Sequence, residues 1–140
     1  MANSQGISGV AKQVALGAIV DGKTLKAALY LASATTGPTN TVYTATGEVS
    51  GSGYSAGGVS VTNANSAGLT STTAYWTPSA SVAFGTVTLA SAFDCAMIYS
   101  TTDTNRNIGT FTFGSTTVSG GTFTLTMPTN DSSTGLVRFA

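Results

Sequence analysis

The side chains that could do chemistry in this sequence are few and scattered. The 140-residue chain has no histidine, so the commonest general base and the commonest metal ligand are missing and a Ser-His-Asp triad is excluded. Two carboxylates can hydrolyse a glycosidic bond. However, four of the five acidic residues lie on separate predicted loops or strand ends: Glu48, Asp94, Asp103 and Asp131. The sequence therefore predicts no enzyme and no catalytic residue.

One spacing of oxygen-bearing residues resembles the start of a calcium-binding loop. Residues 103–107 read Asp-Thr-Asn-Arg-Asn, which follows the D-x-N-x-N pattern. The pattern then fails, because Ile108 stands where glycine is required and Gly114 where a bidentate glutamate is required. Asp and Asn also favour tight turns. We interpret the segment as a polar hairpin turn and predict no metal and no cofactor.

Cys95 is the only cysteine, which excludes an internal disulfide and a cysteine metal cluster. Its position in the sequence DCAMIY predicts a buried, small apolar residue. No histidine is present to activate its thiol.

A glycine-rich stretch from Thr44 to Thr62 is the segment around which the chain is predicted to be organised. Its five glycines allow sharp bends and close approach to other backbone, and Tyr54 is the aromatic residue expected to anchor it in the core. Two interpretations are open: a structural loop that covers the core, or a loop that contacts a partner. For the second, the candidate residues are Glu48, Ser52 and Tyr54.

The charge pattern excludes several classes of partner. Five basic and five acidic residues give a net charge of zero, and neither sign is clustered. No nucleic-acid interface is therefore expected. No apolar run is long enough for a membrane span or a secretory signal. A neutral surface rich in Ser, Thr, Gly and Ala suits a protein in a crowded assembly.

The first element is predicted to be a short helix over residues 8–19. Apolar residues recur at helical spacing, Ser8 is placed as the N-cap, and Asp21-Gly22 is the stop. Gly9 and Gly17 weaken the helix, so it should depend on packing against a sheet. Residues 1–6 are small and polar and are predicted to be a flexible arm.

The rest of the chain is predicted to be strands. Thr24 to Leu31 alternates as a half-buried strand, and short strands follow at Val59–Thr62 and Ala74–Thr77. Five more are predicted in the second half: 82–89, 95–99, 109–113, 122–127 and 136–139. Gly120-Gly121 is read as a hairpin turn. About eight strands without alternating helices predict a single all-β domain over residues 1–140, an antiparallel sandwich or jelly roll.

The large aromatic residues allow a second functional class, a glycan-binding β-sandwich. Tyr43, Tyr54, Tyr75 or Trp76 would then be exposed platforms for sugar rings. The alternative is that Trp76 fills the core, as large rings in such domains usually do. Solvent exposure distinguishes the two interpretations.

Several segments resemble small virion structural proteins of tailed bacteriophages. The most specific are EVSGSGYSAGG at residues 48–58 and GTFTLTMPTND at residues 121–131, and the likeness extends over nearly the whole chain. The resemblance implies a non-enzymatic β-sandwich that is present in many copies, as a homo-oligomer, in a virion assembled in the bacterial cytoplasm.

The favoured functional hypothesis is therefore a cement or decoration protein that binds and stabilises the major capsid shell. The partner would be the major capsid protein or another virion protein. The alternatives are a tail, collar or fibre component and, in a different class, the glycan-binding module.

Overall fold

One helix and seven strands, arranged in two antiparallel sheets, make up the fold. The structure is a computed structural model and describes residues 2–140. The elements are α1 (Gly9–Val20), β1 (Leu25–Leu31), β2 (Val59–Val61), β3 (Gly68–Thr70), β4 (Thr73–Trp76), β5 (Val82–Ser100), β6 (Arg106–Leu125) and β7 (Val137–Phe139). With 45% of the residues in strands, the predicted all-β, sandwich-like class with one short N-terminal helix is confirmed.

The chain divides into two compact units, and each is assembled from separated stretches. The first unit combines the described part of Met1–Gly22 with Asn63–Ser79 and Met127–Ala140, and it contains the sheet β3-β4-β7. The second combines Lys23–Thr62 with Ala80–Thr126 and contains the sheet β2-β1-β5-β6.

In the first unit, α1 begins and ends where the sequence predicts. The Ser8 hydroxyl accepts a hydrogen bond from the backbone N–H of Ala11 at 3.2 Å, and Gly22 adopts a positive φ of 65° just beyond the helix. The helix packs on β4. At its C-terminal end, the Asp21 carboxylate accepts the Ala67 N–H at 2.7 Å, which ties the helix to the segment before β3.

The face by which α1 packs is not its most apolar face. Leu16 and Val20 are fully buried, and Gln13 donates a side-chain hydrogen bond to the Ala67 carbonyl at 2.9 Å. Gly9 lies so close to the turn between β3 and β4 that an added Cβ would be 2.6 Å from the Ser71 carbonyl oxygen. The absence of a side chain at this position therefore allows the close approach of the helix.

Trp76 on β4 is completely buried, so the prediction that it belongs to the core is confirmed. Its indole N–H donates to the Asn63 side-chain oxygen at 3.2 Å and to the Asn65 carbonyl at 3.3 Å. The sequence does not predict β3, whose three residues Gly68–Thr70 include a glycine and a single large apolar side chain.

In the second unit, β1 is a central strand that is buried on both faces. It pairs with β2 on one side and with β5 on the other. Leu25, Ala27 and Leu29 are buried on one face, as the sequence predicts, but Ala28 and Tyr30 are buried on the other. The half-buried strand expected from the sequence is therefore wrong, and residues 44–58 supply the second cover.

The two long strands β5 and β6 correct the expected strand count. Each contains two of the predicted short strands, joined without a turn. The Gly120-Gly121 hairpin is wrong: both glycines lie inside β6, where Gly120 has a φ of 61° and the pairing register with β5 shifts. The glycines make a β-bulge instead, which adds a residue to one strand without reversing the chain.

Candidate functional site

The glycine-rich stretch Thr44–Thr62 folds along the edges of β1 and β5. Gly47 and Val49 hydrogen-bond to Leu31 and Leu29 of β1 at 2.9 and 3.0 Å. Further along, the Ser52 carbonyl accepts the Thr88 N–H of β5 at 2.9 Å. The last residues of the stretch form β2, which pairs with β1. The stretch therefore hydrogen-bonds to the sheet at three places.

Glycine is required in this stretch because backbone meets backbone. A Cβ at Gly51, Gly53 or Gly58 would overlap the carbonyl oxygen of Thr88, Thr86 or Ala27, respectively. Gly53 and Gly58 also have positive φ angles of 81° and 75°. The predicted close approach to other backbone is confirmed.

The Glu48 carboxylate is the centre of a hydrogen-bond network in this loop. Its Oε1 accepts the Tyr54 hydroxyl and the Gly57 N–H, both at 2.7 Å, and its Oε2 accepts the Tyr43 hydroxyl at 2.6 Å. Hydrogen bonds to an ionised acceptor are stronger than neutral ones. Glu48 thus joins three points of the loop that are separate in sequence.

Tyr54 also completes the hydrogen bonding of β1. The partner strand β2 pairs with β1 as far as Ala27, and Val49 bonds to the Leu29 carbonyl. The Leu29 N–H lies between these two partners and donates to the Tyr54 hydroxyl at 3.0 Å. The predicted anchoring role of Tyr54 is confirmed, and its ring stacks on Phe84 at a centroid distance of 6.2 Å.

Two further tyrosines fix the loop over the second face of β1. The Tyr30 hydroxyl donates to the Thr44 carbonyl and the Tyr99 hydroxyl donates to the Gly57 carbonyl, each at 2.7 Å. Tyr43 stacks on Tyr99 with ring centroids 4.8 Å apart. We call Tyr30, Tyr43, Tyr54 and Tyr99 the tyrosine cluster.

Every hydroxyl of the tyrosine cluster has a raised pKa. Burial, followed by the hydrogen bond and the charge of Glu48, raises the pKa of Tyr43 to about 12. Burial is also the largest cause for Tyr30, Tyr54 and Tyr99, whose pKa values lie above the usual value of a phenol. The phenols therefore stay protonated at neutral pH and act as hydrogen-bond donors, not as bases or nucleophiles.

The structure places the three candidate contact residues differently. Glu48 and Tyr54 are partly buried and are hydrogen-bonded to each other, whereas Ser52 is exposed and bonds to β5 through its backbone. The internal hydrogen-bond network is a sufficient reason for Glu48 and Tyr54 to occur in this loop, and no partner contact is needed to explain them.

The segment with the calcium-loop spacing is a hairpin turn, as predicted. It connects β5 to β6, and Thr104 and Asn105 have positive φ angles of 54° and 60°. The Asp103 carboxylate binds the Lys23 ammonium at 3.1 Å and accepts the Ser100 hydroxyl at 3.1 Å. These contacts, the Lys23 hydrogen bond above all, lower the pKa of Asp103.

The other acidic residues serve separate parts of the fold. Asp131 accepts the backbone N–H groups of Ser133 and Thr134 at 2.7 Å each, which builds the turn before β7. Across residues 2–140, no cluster of three or more Cys, Asp or Glu side chains has an arrangement that could hold a metal. Cys95 is buried, as predicted, and burial raises the pKa of its thiol.

The rings proposed as sugar platforms are buried in whole or in part. Trp76 has no exposed surface, and Tyr43, Tyr54 and Tyr75 are each only partly exposed. Tyr75 covers Gly68, where an added Cβ would be 2.5 Å from the ring. By the criterion of ring exposure, this arrangement favours a structural role over glycan binding.

An open hollow of about 540 Å³ lies beside the loop that follows β1. Its lining comprises Ser33, Ala34, Thr35, Thr36, Asn40, Thr44, Thr46 and Gly47. These residues offer hydroxyl and amide groups but no charge and no aromatic ring. The hollow therefore lacks the apolar lining that small-molecule sites usually have.

An apolar surface that the sequence prediction missed lies on the outer face of α1. Ile7, Val10 and Val14 are 70%, 61% and 67% exposed. These residues, with Ala11, Ala15 and Ala18, form the periodic stripe by which the helix is recognisable in the sequence. We call these six residues the outer α1 face. The sequence contains one sign that this face points outward. The opposite stripe of the helix begins with a glycine, which permits close packing on the sheet; its members are Gly9, Gln13, Leu16 and Val20.

Comparisons with known proteins do not identify the chain. No protein-family model matches it, and no curated protein or solved structure is significantly similar to it. Among the described residues, no helix has the length and apolar character needed to cross a membrane.

Proposed function

We propose that this protein is a non-enzymatic structural component of a phage virion, a cement or decoration protein that binds the major capsid shell. The sequence resemblance motivates the virion context. The observation that carries the proposal is the outer α1 face, where three large aliphatic side chains project into solvent. Contiguous exposed apolar surface is typical of proteins that work while bound to others.

The free energy gained by covering the outer α1 face is modest, which suits a protein that attaches in many copies to one shell. Full burial of a Val or Ile side chain is worth about 1.5–3 kcal/mol. Because Ile7, Val10 and Val14 are about two thirds exposed, covering them would contribute about 3–6 kcal/mol before the cost of association. One such contact is weak in solution. Contacts with neighbouring subunits of a shell would add to it.

The proposed mechanism is mass action. A protein that binds the assembled shell, but not its separated subunits, shifts the equilibrium toward the shell. The chain brings only ten formal charges and no patch of either sign. Attachment would therefore rest on apolar contact and hydrogen bonds, and not on ion pairs.

The test compares particles with and without this protein. Particles that lack it should assemble but rupture at a lower temperature, and the purified protein should restore them. The double variant Val10→Asp/Val14→Asp should fold but fail to bind and restore. Val42→Asp is the matched control, because Val42 is 47% exposed outside the helix; it should restore particles fully. Identical rupture curves with and without the protein would refute a cement role and favour a tail position.

A further inference from the structure

The two compact units of the fold bury very different numbers of apolar side chains. Glycine and proline aside, 22 apolar residues are buried within residues 2–140, and seventeen of them lie in the second unit. The first unit contains more than a third of the chain but only five of these residues: Leu16, Val20, Ala67, Ala74 and Trp76. Because apolar burial is the main favourable term in folding, the first unit has less to hold it closed.

The secondary structure of the first unit is also short. In its sheet, β4 forms three residue pairs with β3 and three with β7, whereas the second unit contains strands of 19 and 20 residues. A sheet of this size depends on packing against another element, which here is α1. A helix of 12 residues with Gly17 in its interior is not stable in water by itself. The helix and the sheet of the first unit must therefore form together.

Three separate stretches of chain meet in the first unit, and hydrogen bonds from side chains help to join them. The Asn63 side chain donates to the Val20 carbonyl at 2.7 Å, which connects α1 to the segment before β3. The Thr77 hydroxyl accepts the Leu136 N–H at 2.9 Å, which connects the end of β4 to the segment before β7. Within residues 2–140, the stretches that carry α1 and β7 each continue into the second unit at one junction only. Both stretches can therefore separate from β4 without displacing a strand of the second unit.

The outer α1 face belongs to the first unit, because α1 lies within it. Ile7, Val10 and Val14 share one face only while the helix is formed. The helix in turn depends on its packing against the sheet, where Leu16 and Val20 are buried. Opening of the first unit therefore removes the ordered apolar face.

We propose that the first unit opens and closes cooperatively while the second unit stays folded, and that its closing presents the outer α1 face. Native proteins open in contiguous parts, with free energies of opening that range up to the value for global unfolding. The part with the least apolar burial opens first. The inference concerns the free protein and holds for any partner of the outer α1 face, so it does not rest on the proposed virion role.

The chain contains one natural probe for each unit, which allows a direct test. Trp76, the only tryptophan, is buried in the first unit, and Cys95, the only cysteine, is buried in the second. In a urea series on the full chain, Trp76 fluorescence reports the opening of the first unit. A short pulse of a thiol-alkylating reagent at each urea concentration reports the opening of the second.

The expected result is two separate transitions. Trp76 should become exposed at a urea concentration about 1 M or more below the one that exposes Cys95. Coincident transitions would show that the whole chain unfolds as one cooperative unit, and they would overturn the proposal. Exposure of Cys95 before Trp76 would overturn it as well.

Two matched substitutions assign each transition to its unit. Val20→Ala shortens a buried side chain of α1, and Val87→Ala shortens a similarly buried side chain of β5. Val20→Ala should move the Trp76 transition to lower urea and leave the Cys95 transition unchanged. Val87→Ala should do the reverse, because it weakens the second unit equally whether the first is open or closed. A shift of both transitions by either variant would contradict independent opening.

Discussion

Removing the Glu48 carboxylate should unfold the glycine-rich loop and destabilise the second unit strongly. Glu48→Ala leaves the Tyr43 hydroxyl, the Tyr54 hydroxyl and the Gly57 N–H without their acceptor. Tyr54 in turn accepts the Leu29 N–H in the centre of β1. The substitution therefore affects a buried strand as well as a surface loop.

The expected loss is about 3–5 kcal/mol. Hydrogen bonds to a charged group contribute about 1.5–3 kcal/mol each, and three are removed. Because Glu48, Tyr43 and Tyr54 are only partly buried, water can replace part of what is lost, which places the total below the simple sum. Glu48→Gln keeps one carbonyl acceptor and the shape of the side chain, and it should lose only about 1–2 kcal/mol.

The assay is urea unfolding, with the free energy taken from the midpoint at constant m. A double-mutant cycle isolates the network: Tyr43→Phe should cost about 1–2 kcal/mol in the unmodified protein and much less beside Glu48→Ala. A loss below about 0.5 kcal/mol for Glu48→Ala, within the range of ordinary surface substitutions, would refute the reasoning. An equal cost of Tyr43→Phe in both backgrounds would show that the two residues are not coupled.

Four further outcomes follow from burial, backbone geometry and charge. Folding raises the pKa of the tyrosine cluster above the unfolded value near 10, so the protonated phenols stabilise the folded protein. This stabilisation is complete below about pH 10 and falls as the pH rises toward about 12, where Tyr43 ionises in the folded state. Each fully buried tyrosine should contribute a slope of up to about 1.4 kcal/mol per pH unit, measurable by urea unfolding between pH 8 and pH 12, and a flat profile would contradict the burial argument. Leu29→Asp should abolish folding, whereas the exposed Thr124→Lys should leave monomer stability nearly unchanged; equal melting temperatures would show that the strand faces are misassigned. Gly58→Ala should cost about 3 kcal/mol or more, because it places a Cβ on the Ala27 carbonyl at a positive φ, while Gly37→Ala meets open space and should cost little. Retention on particles should change little between 0.1 and 1 M salt but fall in urea, which a pelleting series checks; release by salt alone would contradict apolar attachment.

Local features of the sequence predicted the element types well. Ser8 and Asp21-Gly22 delimit α1 because caps depend on a few neighbouring residues, and β1 and β4 follow from alternation and β-branched or aromatic content. The strand count failed in the second half for a specific reason. A glycine pair has the same local signature whether the chain reverses or only bulges, so Gly120-Gly121 was assigned to a hairpin.

The candidate site was located only in part. The density of glycine around Tyr54 marked the loop and its anchor, because close backbone approach requires glycine at these positions. The sequence did not reveal that Glu48 would accept bonds from Tyr43, Tyr54 and Gly57. That arrangement depends on how the loop returns to β1, which no local pattern encodes.

What the sequence determined by itself is therefore the class of the protein: a neutral, all-β chain with one capped helix and no histidine for catalysis. Tertiary structure decided which surfaces are used. Both stripes of α1 contain apolar and small residues, and the close packing of Gly9 on the Ser71 carbonyl, together with the burial of Leu16 and Val20, turns the inner one to the sheet and leaves Val10 and Val14 outside. Likewise, β6 is the terminal strand of its sheet because β7, the one strand that follows it within residues 2–140, pairs with β4 instead. The periodicity of a sequence predicts whether a segment is a helix or a strand. Which other segment it packs against depends on residues far away in the chain, because several segments could cover the same surface.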